Sequence, residues 1–210
     1  MLNVAGREIP VFVEGFGDVA PFDRMSIAER RARPATQRRP GASKVVPDLR
    51  TALVECGVRD GATLSFHHHL RNGDQVMNTV LAEAAQLGLR NLSIAPSSIF
   101  PVHAPLVELI KRGVITRIYT AYASGPVADA IAAGLLEQPA VLQTHGGRAR
   151  AIESAELQID VAFVAAPTAD DYGNICSVTG PAACGPLGYA TADAQFARAR
   201  RSGRVRVYDR

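Results

Sequence analysis

The sequence predicts an α/β fold: an open, mostly parallel sheet with helices on both faces, preceded by an extended N-terminal arm. Three observations predict it. From Asp48 onward, short β-prone runs alternate with segments of helical period, the pattern of repeated βαβ units. The connections between them are short, as in compact α/β domains. The run Ile-Asp-Val-Ala-Phe-Val-Ala at 159–165 is almost wholly apolar, as strands are when both faces of a sheet are covered. With 210 residues, 47% apolar and 20% charged, the chain suits one substantial domain and excludes a disordered, collagenous or coiled-coil protein.

Each element follows from local pattern. Residues 1–47 hold Pro10, Pro21, Pro34, Pro40 and Pro47 and five arginines between positions 30 and 39. Proline breaks helices and ladders, so this stretch reads as an arm with one short helix. Leu49, Leu53 and Val54 mark a first helical face, and Gly57 is placed to end that helix. Residues 62–66 form the first strand of the alternation. Asp74 then precedes Val76, Met77, Val80, Leu81, Ala84 and Leu87, an amphipathic helix closed by Gly88. Leu92-Ser93-Ile94-Ala95 is the next strand. Residues 105–112 are a helix with Pro105 in its first turn. Residues 114–120 are a strand rich in β-branched side chains. A helix over 127–136, a strand over 140–143, a helix over 149–155 and the strand at 159–165 complete the alternation.

Compartment and charge set further bounds. Cys56, Cys176 and Cys184 are an odd number without CxxC spacing, so they define neither a disulfide framework nor a zinc site. No apolar run approaches the ~20 residues of a membrane span, and the N-terminus lacks the pattern of a signal peptide. The expected location is the cytoplasm. The formal net charge is +3 and the pI 9.0, which suggests an anionic partner. The tail at 198–210, however, carries six arginines and one aspartate, leaving −2 on residues 1–197. With 6% aromatics, no Trp and no recognition motif, nucleic-acid binding is not expected.

In open α/β sheets ligands sit at the carboxyl ends of strands. The first such loop carries His67, His68, His69, Arg71, Asn72 and Gly73 ahead of Asp74. Its donors lie beside a helix N-terminus, where anions are favoured. A carboxylate, thioester oxygen or phosphate fits. A metal is not expected, because neighbouring residues of an extended chain alternate faces and no HExxH pattern or carboxylate pair accompanies the histidines. The second loop is Thr144-His145-Gly146-Gly147-Arg148-Ala149-Arg150, with two glycines for close backbone approach and charge-assisted donors. The third, Asp170-Asp171-Tyr172-Gly173-Asn174, reads first as a tight turn. His103, in a fourth loop, reads as structural. No GxSxG or paired cysteine nucleophile is present.

Together these segments, with Phe100-Pro101-Val102-His103 and Ala183-Cys184-Gly185-Pro186-Leu187-Gly188-Tyr189-Ala190, resemble the α subunits of bacterial citrate lyase, the citrate CoA-transferases of the family I CoA-transferase superfamily. The resemblance runs from about residue 5 to residue 197. His67-His68-His69 stands where the wider superfamily has a Gly-Gly-Phe loop, and Asp170…Gly173-Asn174 matches its Asp-x-x-Gly-Asn. The resemblance implies a CoA-transferase-like domain over 48–197. It implies exchange of acetyl for citryl on the thiol of an acyl carrier protein, with citrate and acetate as small-molecule substrate and product. It also implies an oligomeric complex with the β (citryl lyase) and γ (acyl carrier) subunits. No cofactor of its own is implied; the subunit acts on the carrier's CoA-like prosthetic group or on CoA thioesters. The substrate- and acyl-binding candidates are His67, His68, His69, Arg71, Asn72, Gly73, Thr144, His145, Gly146, Gly147, Arg148 and Asn174.

Two departures stand beside the resemblance. In the family a glutamate carboxylate attacks the thioester, and it lies in a second α/β half; no glutamate here sits in that context, so no catalytic residue is assigned. After Ala197 the family continues into a β-branched strand, whereas this chain turns arginine-rich. Residues 198–210 are therefore read as a tail of frameshift or truncation origin. Two alternatives remain from the sequence: a non-catalytic module that binds CoA-like ligands or assembles the complex, and a sugar-phosphate isomerase of like architecture, against which the histidine loop argues.

Overall fold

A computed structural model describes residues 1–2, 6–15, 17–19, 43–67, 71–184, 188 and 190–198. The chain divides into two compact units, Met1–Arg31 and Ala32–Arg210. The first holds a small hairpin, β1 (Phe12–Val13) against β2 (Gly17–Asp18), and a bridge between Leu2 and Glu8. Within the arm that the sequence predicts over 1–47, these described residues form a local turn. Gly15, at φ 84°, supplies the left-handed residue that the turn needs.

The second unit carries the predicted alternation. Its elements are α1 (Leu49–Glu55), β3 (Thr63–His67), α2 (Val76–Gln86), β4 (Leu92–Pro96), α3 (Leu106–Lys111), β5 (Ile115–Thr120), α4 (Pro126–Ala132), β6 (Val141–Leu142), α5 (His145–Glu153), β7 (Val161–Val164), the hairpin β8 (Thr168–Ala169) and β9 (Ile175–Cys176), and α6 (Ala190–Phe196). The five-stranded sheet has the order β6-β5-β4-β3-β7, all parallel.

That order fixes which helices lie on which face. The chain steps β3, β4, β5, β6 in one direction, then crosses back to place β7 beyond β3. Parallel crossovers are right-handed, so reversing direction moves the connecting helix to the opposite face. The core divides accordingly. Leu53 of α1, Met77, Val80, Leu81 and Ala84 of α2, Leu106 and Leu109 of α3 and Val127 of α4 pack on Leu64, Phe66, Leu92, Ile94 and Ile118. Ala151 and Ile152 of α5 and Ala192 of α6 form a second, smaller core with Ala95, Leu157 and Ile159 on the other face.

Local chemistry explains the boundaries. Asp48 caps α1, its carboxylate accepting the Thr51 amide at 2.6 Å. The bond favours the charged form, and the Asp48 carboxyl is held below its usual value. Val54, expected on the buried face of α1, is 63% exposed. Leu49, Ala52, Leu53 and Cys56 complete that face, and Val54 lies about 100° past Leu53. α4 ends at Ala132 rather than 136 because Gly134 adopts φ 72°. Among the described residues the strand at 159–165 pairs with β3 alone, and its faces are less fully covered than the apolar run predicts. Val161 is buried, but Ala162, Phe163 and Val164 are half-exposed, and Phe163 stacks on Phe66 of the one neighbouring strand at 5.1 Å. No helix among the described residues is long and apolar enough to cross a membrane.

Candidate functional site

Strand ends form a rim along the carboxyl edge of the sheet. The Ala165 amide donates to the His67 carbonyl at 3.0 Å, Ser97 to Phe66 at 3.0 Å, Ile99 to Tyr122 at 2.8 Å and Gln143 to Thr120 at 2.9 Å. His67 closes β3 on this rim, half-buried. His68 and His69 lie outside the described residues.

The chain re-emerges at a 3₁₀ turn, Arg71–Gly73, whose three residues are exposed. Arg71 holds φ 50°, a left-handed conformation that costs a non-glycine residue ~1 kcal/mol or more. Contacts with the neighbouring loop hold the turn. Asn72 Oδ1 accepts the Val102 amide at 2.9 Å, and Asn78 Nδ2 donates to the Val102 carbonyl at 2.9 Å. Asp74, fully buried, accepts from the Val76 amide at 3.2 Å and faces His103 Nε2 at 3.2 Å. His103 Nδ1 accepts the Phe100 amide at 2.9 Å. With Nδ1 an acceptor, the proton sits on Nε2 and donates to Asp74. His103 is thus structural, as the sequence suggests, and Asp74 clamps one loop to the next while starting α2.

The second segment differs from its expected form. Residues 145–148 are the first turn of α5, which begins four residues before the sequence places it. Thr144 is the cap, its Oγ1 accepting the Gly147 amide at 3.0 Å. Thr144, His145 and Gly146 are exposed and Gly147 is half-buried. A Cβ on Gly146 would meet nothing within 4 Å, whereas one on Gly147 would lie 3.0 Å from Thr144 Oγ1. In α5 the first-turn amides and the positive end of the macrodipole therefore face the exterior beside His145.

Arg148 is placed differently. It is fully buried, with Nη1 2.9 Å and Nη2 2.7 Å from the two Asp193 oxygens. Nη2 also donates to Ser65 Oγ at 3.0 Å and to the Ala95 carbonyl at 2.6 Å. Ser65 Oγ in turn donates to Asp193 Oδ1. The guanidinium is committed to α6, β3 and β4 and does not reach the rim. It supports the rim from behind: Gln143 directly follows the outer strand β6, its amide on Thr120 of β5, and five residues later the Arg148 side chain is anchored on Ser65 of β3 and Ala95 of β4. The crossover so returns the start of α5 toward the strand that ends in His67. Without it, β6 and β3 stand three strand spacings apart, ~14 Å.

Asn174 lies in the β8–β9 turn. Its Nδ2 donates to Asp170 Oδ2 at 2.6 Å, and Asp170 Oδ1 accepts the Tyr172 and Asn174 amides, each at 2.9 Å. Gly173 takes φ 80°. The Asp-x-x-Gly-Asn segment is a self-satisfied turn in which Asn174 is spent on Asp170. Arg150, also expected to add charge, forms a bidentate pair with Glu156 at 2.6 and 2.7 Å on the exposed face of α5. The structure thus keeps His67, Arg71, Asn72 and Gly73 on one loop and Thr144, His145, Gly146 and Gly147 on another, both at the carboxyl edge. Ser65 and Asp193 are parts of the support to which the sequence reading gives no role, whereas Asp74 starts its helix as the sequence suggests and in addition bonds His103. Among the described residues no group of three His, Cys, Asp or Glu side chains could hold a metal ion.

Comparison with known proteins decides the family. Residues 42–201 match the citrate lyase alpha subunit family. The chain belongs to this family. It is 44% identical to the citrate lyase alpha chain of Escherichia coli over 86% of its own length and 34% of the relative's. With the Klebsiella pneumoniae alpha chain it shares 46% identity over 74% of its own length and 30% of the relative's. A Streptococcus mutans protein described as a citrate lyase alpha subunit, solved in complex with citrate, superposes with a TM-score of 0.76 at 41% identity, over 93% of this chain and 38% of that one. The chain spans about a third of the length of the curated relatives it matches.

Proposed function

We propose that this chain is the acyl-binding portion of a citrate CoA-transferase. The subunit exchanges acetyl for citryl on the carrier thiol: acetyl-carrier plus citrate gives citryl-carrier plus acetate. The observation that carries this reading is the family match over 42–201, which contains both rim loops. The citrate bound to the Streptococcus relative supports the choice of substrate.

The residues fit an anionic, multi-carboxylate ligand. Arg71 and His145 bring cationic or donor groups to exposed positions. The Thr144 cap takes the Gly147 amide and sets the exposed Gly146 backbone at a helix N-terminus, where carboxylates and thioester oxygens are stabilised by ~0.3–1 kcal/mol per charge at an exposed site. His67, at the end of β3, closes the other side. The nucleophilic glutamate that the family uses to form the acyl-enzyme belongs to the part of the subunit beyond this third. The β and γ subunits are the expected partners, the carrier's CoA-like group the acyl acceptor, and the cytoplasm the location.

A transfer assay tests the proposal. Citryl formation from acetyl-carrier and citrate is measured with this chain alone and with the remaining part of the subunit supplied separately. Activity only in the second case supports the reading. Activity of the chain alone contradicts the placement of the nucleophile. Ligand binding without activity in either case identifies a non-catalytic module.

A further inference from the structure

The loop between β4 and α3 carries a short 3₁₀ turn, Pro101–His103. The first amides of such a turn have no acceptor within it. Pro101 carries no N–H, so the first open donor is the Val102 amide. Asn72 Oδ1, 30 positions earlier, accepts it at 2.9 Å. An amide N–H bonds only an acceptor, so the oxygen of the Asn72 carboxamide must face Val102. The planar group then turns its Nδ2 away from that loop. Asn72 is exposed, between exposed Arg71 and Gly73, and among the described residues no acceptor takes its Nδ2.

We propose that Asn72 Nδ2 is the donor that recognises a carboxylate oxygen on the rim, and that His103 and Asp74 are positioning residues that keep it aimed. The inference rests on the citrate reading given above and deepens it.

Three contacts fix the aim. Asn78 Nδ2 donates to the Val102 carbonyl at 2.9 Å, so Val102 is pinned through both its amide and its carbonyl. His103 Nδ1 accepts the Phe100 amide, and the His103 amide donates to the Phe100 carbonyl, each at 2.9 Å. These bonds close the turn around Val102. Asp74, two residues after Asn72, takes the His103 Nε2 proton at 3.2 Å and so ties that turn to the chain that bears Asn72. His103 and Asp74 are fully buried; they act through Asn72. The arrangement sorts ligands by chemistry. A free carboxamide can offer either its donor or its acceptor edge, whereas Asn72, its oxygen committed, offers donors only. Beside the Arg71 guanidinium, that suits a carboxylate of a polycarboxylate and disfavours a cation.

Asn72→Asp tests recognition. Its carboxylate still accepts the Val102 amide, so the clamp and the urea midpoint are retained, but the outward donor becomes a charged acceptor. Citrate affinity of the 210-residue chain, read by NMR titration, should fall at least ~tenfold. The ratio to wild type should persist at ~1 M salt, where the Debye length is ~3 Å. A ratio that vanishes there reduces the effect to general repulsion and overturns the recognition role, as does unchanged affinity. Positioning is read separately, without citrate, from the Asn72 side-chain amide signals. His103→Leu should move them toward those of an unrestrained asparagine, and His103→Asn, whose oxygen can accept the Phe100 amide, should restore them. Should His103→Leu fail to fold, Asn78→Ala, which frees the same Val102 peptide, takes its place. Signals unmoved in these variants overturn the positioning role. A wild-type chain that takes no citrate removes the citrate reading and the recognition role together, while the side-chain signals still decide the positioning.

Discussion

Replacing Arg148 with alanine should damage the fold rather than the ligand site alone. The side chains of Arg148 and Asp193 are 1% and 0% exposed. The guanidinium makes two bonds to Asp193, one to Ser65 and one to Ala95. Truncation leaves a buried carboxylate without its counter-charge and a buried carbonyl without its donor. Breaking a buried pair in this way costs ~3–5 kcal/mol, against a typical domain stability of ~5–15 kcal/mol. Arg148→Lys keeps the charge but loses the planar fork, and should fall between wild type and Arg148→Ala. Urea unfolding followed by far-ultraviolet circular dichroism reads the effect. A double-mutant cycle with Asp193→Ala should be non-additive, with a coupling of ~1 kcal/mol or more. An Arg148→Ala variant that unfolds within ~0.5 kcal/mol of wild type yet loses citrate binding would refute the reasoning and place Arg148 at the ligand.

Three further outcomes follow from the same geometry. Gly146→Ala has open space in the first turn of α5 and should stabilise by ~0.5–1 kcal/mol while weakening citrate binding; Gly147→Ala presses on the Thr144 cap and should lie ~1 kcal/mol below it, both measured by urea midpoints and citrate titration. The lowered Asp48 carboxyl contributes stability that is fully present above the ordinary aspartate range near pH 4 and is lost as pH falls through its depressed value. Asp48→Asn should therefore reduce the acid sensitivity of unfolding, and an unchanged pH profile would remove Asp48 from the account. The Cys176 thiol is held below its usual value, first by the Thr179 hydroxyl and then by the Val178 amide, so Thr179→Val should raise the pH at which iodoacetamide half-labels Cys176, with Cys56 as internal reference by mass spectrometry.

Much of this architecture can be read from local pattern, because helix and strand periods report which side chains face a core. The α2 helix, with Met77, Val80, Leu81 and Ala84 all buried, is the clearest example. Periodicity does not report lateral neighbours. An apolar run at 159–165 therefore suggests a strand covered on both faces, while its pairing with β3 depends on a crossover that no local signal encodes. The start of α5 is hidden by Gly146-Gly147, two poor helix formers, although Thr144 three residues before Gly147 is a cap signal that could have placed it. Arg148 illustrates the limit for the site. In sequence it is a charged residue beside a Gly-Gly pair. Only folding brings Asp193, 45 positions away, and Ser65, 83 positions away, to consume its donors. Asn174 is the opposite case, since its partner Asp170 is four residues distant and the tight turn is legible locally.

The central claim, that the two rim loops form one citrate site, is tested most directly by NMR titration of the 210-residue chain with citrate. The account predicts saturable shifts at the backbone amides of His67, Asn72, Gly73, His145 and Gly146, absent with acetate at the same ionic strength and reduced in Gly146→Ala. Saturable shifts confined to one loop, or lying elsewhere on the sheet, would contradict it.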